Sequence, residues 1–431
     1  MYEPKISVVV VSRDRPDGLA RLLTSLRFQF YKNFEVIVVC NTHDFDIERV
    51  KYVHFDEPNI SAARNLGIEA AAGDLIAFCD DDAVPEPTWL EMLITPFDDQ
   101  KIGVAGGFVR GRNGIDFQWK AQQVDCFGND KPLELGTDAD FSVVQADKGH
   151  APKVQGTNCM FRKSMLVALG GFDEEFQFYL DETDVCVRAS QAGWQTAIVP
   201  KAEVQHGFEE SDRRTVNRVP KSLFAEGKSK AHYCKKHVND YNPESVYKTF
   251  EAEQRKRLLK LLVDGLIEPK DIKVLLRTLR MGFTEGQKRL VCNDQKEIRH
   301  TNDEFLEFVN EWDNDLRGEA FVGSHISKKQ MIQCAMDLAS KGIPCTLLYW
   351  SFTALFHHRF FDERGFWVQT GGLFGKSDRA QSIFKFNRIF SRGLSEILFL
   401  KKFRKIEKIS FFRFKRVLKV TKITRNNTKE A

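Results

Sequence analysis

Apolar residues in the first half of the chain fall into short unbroken runs separated by segments of helical period. Ile6 to Val11 is a continuous β-branched run, and Asp17 to Phe28 then places Leu19, Leu22, Leu23 and Leu26 at helical spacing. Phe34 to Val39 predicts a second strand, Ser61 to Ala72 a helix with Ser61 as its cap, and Leu75 to Phe78 a third strand. A helix restarts over Thr88 to Ile94, after Pro87. Unbroken apolar strands alternating with amphipathic helices predict an α/β domain, with a mostly parallel sheet and helices on both faces. From about Thr215 to Glu319 the strand signal fades; Arg255 to Asp264 and Ile272 to Met281 read as helices. A compact β-α-β piece follows: a strand at Ala320-Phe321-Val322, a helix over Lys328 to Ser340, and a strand over Cys345 to Tyr349. The expected division is a domain over 1–215, a helical region over 216–319, a small α/β region over 320–395 and a basic amphipathic tail over 396–431.

The most informative polar feature is Asp80-Asp81-Asp82, directly behind the run Leu75-Ile76-Ala77-Phe78-Cys79. Ligands of open α/β sheets bind at the carboxyl ends of strands, where this triplet should lie. Three adjacent carboxylates repel one another, so a cation is wanted nearby. In an extended segment Asp80 and Asp82 share a face and Asp81 points away. Two converging carboxylates form a hard-oxygen site suited to magnesium or manganese. The alternative is a solvated acidic turn beside Pro85 and Pro87. The loop Ser12-Arg13-Asp14-Arg15-Pro16 lacks the glycines of a dinucleotide site or a P-loop, which disfavours hydride transfer and P-loop phosphoryl transfer.

A second acidic cluster, Asp181-Glu182-Thr183-Asp184, reads either as a helix start, with Asp184 and Arg188 paired at i,i+4, or as the source of a general base. His206 ends a strand read as an edge strand; it is either a surface histidine or a metal ligand beside carboxylates. Arg64 and Asn65 follow a helix start, where an arginine could meet phosphate.

In order, these pieces read ISVVVVSRDRPDGLARLLTSL, FEVIVVCN, NISAARNLGIEAAAGDLIAFCDDDAVPEPTWL, GTNCMFRKSMLVALGGFDEEFQFYLDETDVCVRASQAGW and AEVQHG. Over roughly residues 5 to 210 the chain resembles the nucleotide-sugar-dependent glycosyltransferases of family 2, with a GT-A fold. The resemblance implies that Asp80 lies against the nucleoside and reaches the metal, that Asp81 lies near ribose or metal, and that Asp82 binds a divalent Mn2+ or Mg2+ with His206 completing the site. It implies a catalytic base from the pair Asp181-Glu182, with Glu182 favoured, and inversion at the anomeric carbon. It places Arg64 and Asn65 beside the nucleotide and Arg13 and Asp14 near base or ribose. Cys40 stands where the family often has a nucleobase-reading aspartate, and Asn41 is the available substitute. The implied partners are a nucleotide-sugar donor and a glycan or lipid-linked acceptor, in the synthesis of a surface polysaccharide or similar glycan. The competing readings are a sugar nucleotidyltransferase and a catalytically silent binding module.

Composition adjusts this picture in four places. The net charge of +4 gives no support to nucleic-acid binding. Nine cysteines without CxxC spacing, several inside apolar runs, suit a reducing cytosol. The N-terminus has no signal-peptide pattern, and no run reaches the roughly 20 apolar residues needed to cross a bilayer. Lys401 to Lys429 interleaves basic and apolar residues, which suits an anionic membrane surface or a basic tail helix packed on its own protein. The expected location is the cytoplasm, peripheral on the inner face of the plasma membrane.

Overall fold

The computed structural model describes residues 3–42, 48–135, 139–207, 209–289, 291, 298, 303–308, 317–413 and 416–420. The first elements in chain order are β1 (Ile6–Ser12), α1 (Pro16–Leu26), β2 (Phe34–Cys40), β3 (Val50–His54), α2 (Ile60–Ala70), β4 (Leu75–Phe78), β5 (Ala83–Pro85) and α3 (Trp89–Leu93). Then come β6 (Ile102–Arg110), β7 (Phe117–Trp119), β8 (Gln122–Asp125), β9 (Asp130–Pro132), β10 (Ser142–Val144), β11 (His150–Lys153), β12 (Cys159–Arg162), α4 (Lys163–Ala168), α5 (Asp181–Gln191) and β13 (Gln195–His206). The main sheet runs β10-β13-β6-β12-β4-β1-β2-β3. Strands β4, β1, β2 and β3 are mutually parallel, β13 is parallel to β6, and β12 runs antiparallel to both β4 and β6. The expected mixed, mostly parallel α/β sheet is present.

The apolar runs fill both faces. Val8, Val10, Val36 and Val38 pack with the leucines of α1, whereas Val9, Ile37 and Val39 pack with Ala63 and Ile68 of α2 and Val185 and Ala189 of α5. Successive strand residues therefore serve opposite cores. The cap of α2 is Asn59, whose side chain accepts from Ala62 N at 3.2 Å. Ser61 instead donates from inside the helix to Phe176 O, because its hydroxyl lies buried against the segment before α5. Strand β13 is not an edge strand: β10 and β6 flank it, and its end also pairs with β5.

The middle region forms α6 (Phe224–His237), α7 (Pro243–Val263) and α8 (Pro269–Lys288), longer than the leucine spacing alone predicts. A second α/β domain follows: β14 (Gly318–Ser324), α9 (Lys328–Ala339), β15 (Cys345–Ser351), β16 (His358–Asp362), β17 (Phe366–Gly372), α10 (Ile389–Arg404), β18 (Ile406–Arg413) and β19 (Arg416–Val420). Its sheet order is β16-β17-β15-β14-β18-β19.

The boundary expected at residue 396 is absent. Residues 389–413 form α10 and β18, and β18 pairs in parallel with β14. Phe403, Ile406, Ile409 and Phe412 are buried in the second domain while Lys401, Lys402 and Lys408 face solvent. The alternation that suggested a membrane-facing tail is a helix end and a half-buried strand; residues 414–415 and 421–431 of that expectation lie outside the described residues. No helix among the described residues is long and apolar enough to cross a membrane.

The two domains meet through buried contacts. Arg404 donates from Nε and Nη2 to Glu86, both at 2.7 Å. Phe28 and Val84 of the first domain share an apolar cluster with Phe361 and Trp367 of the second.

Candidate active site

Strand β4 ends at Phe78, and the chain leaves it through buried Cys79 into the acidic triplet. Asp80 and Asp82 face one way. Asp81 turns into the protein, where it accepts from Ser12 Oγ at 2.8 Å and pairs with Arg15 Nη2 at 2.6 Å. Burial pushes the Asp81 carboxyl up to about 7, against the pull of Arg15. Strand β5 starts immediately after the triplet and pairs antiparallel with the end of β13, setting His206 opposite Ala83. The imidazole Nε2 then lies 3.1 Å from Asp82 Oδ1 and 3.9 Å from Asp80 Oδ2. Its Nδ1 lies 3.1 Å from Gln118 Oε1, and its ring stacks on Trp119 with centroids 5.8 Å apart. Burial works to raise the Asp82 carboxyl, but His206, Arg15 and Arg218 outweigh it and hold it below the usual carboxylate range.

Asp80, Asp82 and His206 each offer one ligand atom, all within 4.8 Å of one another. Two carboxylate oxygens and one imidazole nitrogen form a donor set that fits manganese or magnesium. The residues present therefore fit the expected cation.

The second acidic cluster lies across an arginine. Tyr179 and Leu180 both adopt left-handed backbone conformations, at φ 73° and 68°, and Leu180 rather than Asp181 is the cap of α5. This strained turn delivers Asp181 and Glu182 at a helix N-terminus, whose dipole favours anions. Asp181 pairs with Arg64 Nη1, and Arg64 Nη2 lies 3.7 Å from Asp80. Arg64 thus joins the two acidic clusters. Its guanidinium lies over the Phe172 ring, 5.2 Å from the centroid. A Cβ at Gly156 would come within 2.6 Å of Arg64 Nη2, so this glycine leaves room for the side chain. Burial pushes the Asp181 carboxyl up to about 7, with Arg64 opposing and Glu182 adding to the rise. Glu182 is held more loosely, 3.8 Å from Lys153 Nζ, which itself binds Asp130 at 2.8 Å.

The remaining predicted residues divide. Asp14 and Asn41 meet at the carboxyl ends of β1 and β2, where Asn41 Nδ2 donates to Asp14 Oδ1 at 2.9 Å. Arg13 points instead to Asp56, at 3.0 Å. Asn65 is buried and spends its amide on the segment before α5: it donates to Phe172 O and accepts from Phe172 N at 2.8 Å. Asp184 is held by Arg188 at 2.7 Å, Lys236 at 2.9 Å and His237 at 2.8 Å, away from the cluster. Sequence reading missed Arg15, Gln118, Trp119 and Lys153. Only Arg15, inside the quoted SRDRP loop, carried a local signal.

The family model described as Glycosyl transferase family 2 matches residues 7–170. The N-terminal domain belongs to glycosyl transferase family 2. Over 228 residues this glycosyltransferase is 26% identical to the glucosyl-dolichyl phosphate glucuronosyltransferase of Haloferax volcanii, a match spanning 47% of this chain and 69% of that relative. It is 30% identical over 217 residues to a pre-mycofactocin glycosyltransferase of Mycobacterium tuberculosis, spanning 47% of this chain and 42% of the relative. Among solved structures it is similar to mannosyltransferase PcManGT from Pyrobaculum calidifontis, in complex with GDP-Man and Mn2+. That likeness has a TM-score of 0.40 at 14% identity, over 66% of this chain and 88% of the other. The acidic triplet lies within the family match, whereas Asp181, Glu182 and His206 lie beyond it.

Proposed function

We propose that the protein is an inverting, metal-dependent glycosyltransferase that moves a sugar from a nucleotide-sugar donor to a hydroxyl of a glycan or lipid-linked acceptor in surface-glycan synthesis. The observation that carries this reading is the convergence of Asp80, Asp82 and His206 at one strand exit, with Asp181, the chain neighbour of Glu182, joined to Asp80 through Arg64. Asp80, Asp82 and His206 would hold Mn2+ or Mg2+. When bound, such a dication offsets negative charge on a departing nucleoside diphosphate.

The other steps belong to side chains. Glu182 takes the proton from the acceptor hydroxyl as that oxygen bonds to the anomeric carbon and the bond to the diphosphate oxygen breaks. Attack from the face opposite the leaving group inverts the configuration. Glu182 suits the base better than Asp181, because Asp181 is nearly buried and committed to Arg64. Asp181 then positions Arg64. Asp14, Asn41 and Asp80 border the nucleotide, with Arg13 nearby and Asn65 shaping the segment before α5; Asp81, expected near ribose or metal, is fully buried and instead holds Arg15 behind the site. Lipid linkage of the acceptor is supported by the similarity to the glucosyl-dolichyl phosphate glucuronosyltransferase of Haloferax volcanii.

The test is a panel of nucleotide-sugars assayed with manganese, with magnesium and after chelation. The expected result is metal-dependent release of nucleoside diphosphate from one donor, and a product anomer inverted by NMR. Near-normal turnover after chelation, or retention of configuration, overturns the mechanism.

A further inference from the structure

The carboxyl ends of β15 and β17 do not lead into a cluster of acids as β4 does. They lead into an exposed aromatic surface. Phe352, Leu355 and Phe356 follow β15, and Ile383, Phe384 and Phe386 lie on the loop before α10. Phe386 is 77% exposed, Ile383 70% and Phe352 65%. The two loops form one surface. Phe374 N donates to Thr353 O and Lys385 N to Phe374 O, each at 3.0 Å. The Phe374 ring stacks on Phe386 at 5.4 Å and leans on Phe384 at 5.5 Å, while Lys376 Nζ lies 4.9 Å above the Phe356 ring.

The surface is also held in place. Ser377 Oγ donates to buried Glu396 at 2.5 Å, and Gln369 donates to the same carboxylate at 2.9 Å. Large contiguous apolar patches rimmed by polar groups mark interaction sites. Between Phe374 and Phe390 there are four basic residues, Lys376, Arg379, Lys385 and Arg388, against Asp378 alone.

We propose that this surface docks the enzyme on an anionic lipid bilayer, the aromatic side chains entering the headgroup–acyl boundary while the basic residues meet lipid phosphates. Charge selects this occupant over a second copy: a symmetric self-contact would press one net-positive patch against another. The surface is tied to the candidate active site, because Arg379 Nε pairs with Asp116 at 2.8 Å, two residues before Gln118 beside His206. The inference rests on the lipid-linked acceptor reading and adds that the acceptor hydroxyl is met at the membrane surface.

The test is co-sedimentation of the full chain with vesicles of phosphatidylcholine, alone or mixed with phosphatidylglycerol. Binding is expected only to the mixed vesicles. The pair Phe384→Ser with Phe386→Ser should weaken it at least roughly tenfold, and Lys385→Glu with Arg388→Glu by roughly tenfold. The control pair Lys422→Glu with Arg425→Glu should bind like the parent. Donor hydrolysis in solution and melting temperature, measured on every variant, report folding and the proposed transfer chemistry separately from docking. The inference is overturned by a parent that ignores anionic vesicles, or by binding that the control pair abolishes and the aromatic pair leaves intact. A dimer broken by the aromatic pair without any vesicle binding also overturns it.

Discussion

Two mostly parallel sheets in this molecule end differently. In the first domain β4 runs out into Asp80-Asp81-Asp82, and the surrounding residues add an imidazole and two arginines. In the second, β15 runs out into Phe352-Thr353-Ala354-Leu355-Phe356, while the polar side chains His357, Gln369, Arg392 and Glu396 close on one another inside. Carboxyl strand ends are where open α/β sheets place their ligands. The contrast shows that the architecture offers the place and the residues behind each strand select the use. Charges held close together at an accessible exit favour a cation and a phosphate. Apolar rings held outward favour a surface.

The sharpest way to break this comparison is Asp82→Ala, expected to lower turnover by roughly a thousandfold while mixed-vesicle binding stays unchanged. Glu182→Gln should lower kcat by about a hundredfold or more, with donor binding in a thermal-shift assay retained; an unchanged kcat would transfer the base role to Asp181. Arg404→Ala strands Glu86 in the domain interface, at a cost of about 3–5 kcal/mol. Denaturant melts should then show the two domains unfolding in separate steps.

Asp184→Asn tests whether a buried acid outside the cluster is structural. Burial works against the charged form, but Arg188, His237 and Lys236 outweigh it and hold the carboxyl far below its ordinary value. Such a group contributes fully above the unfolded carboxylate value of about 3.9, and its contribution fades as pH falls through the folded value. The variant should lose about 3 kcal/mol at neutral pH, and the gap should close in acid, as read by urea midpoints across pH. The smallest expected change is in the second domain. Phe384→Ser with Phe386→Ser should shift stability by no more than about 0.5 kcal/mol, because these rings are largely exposed; a large loss would make them core rather than surface.

Much of the first domain was legible. Continuous β-branched runs, leucines at helical spacing and the pleat rule for Asp80 and Asp82 are local properties of chain and period. The last part of the chain was misread for an equally physical reason. Basic and apolar residues interleaved over 401–412 satisfy both an amphipathic helix and a half-buried strand, and pairing with β14 decides between them. Asn65 carried a family expectation of a place beside the nucleotide, yet its amide is taken up by Phe172.

By itself, the sequence determined the α/β class of the first domain, the strand exit occupied by three acids, and the family those blocks resemble. Each depends on neighbours along the chain. Only the tertiary structure decided that His206 meets Asp82, that Arg64 joins Asp80 to Asp181, that Lys153 flanks Glu182, and that Arg404 reaches Glu86. The partners in these contacts lie between 16 and 318 positions apart, as with Arg64 and Asp80 at one extreme and Glu86 and Arg404 at the other. Strand register and domain docking set them, and no local period records either.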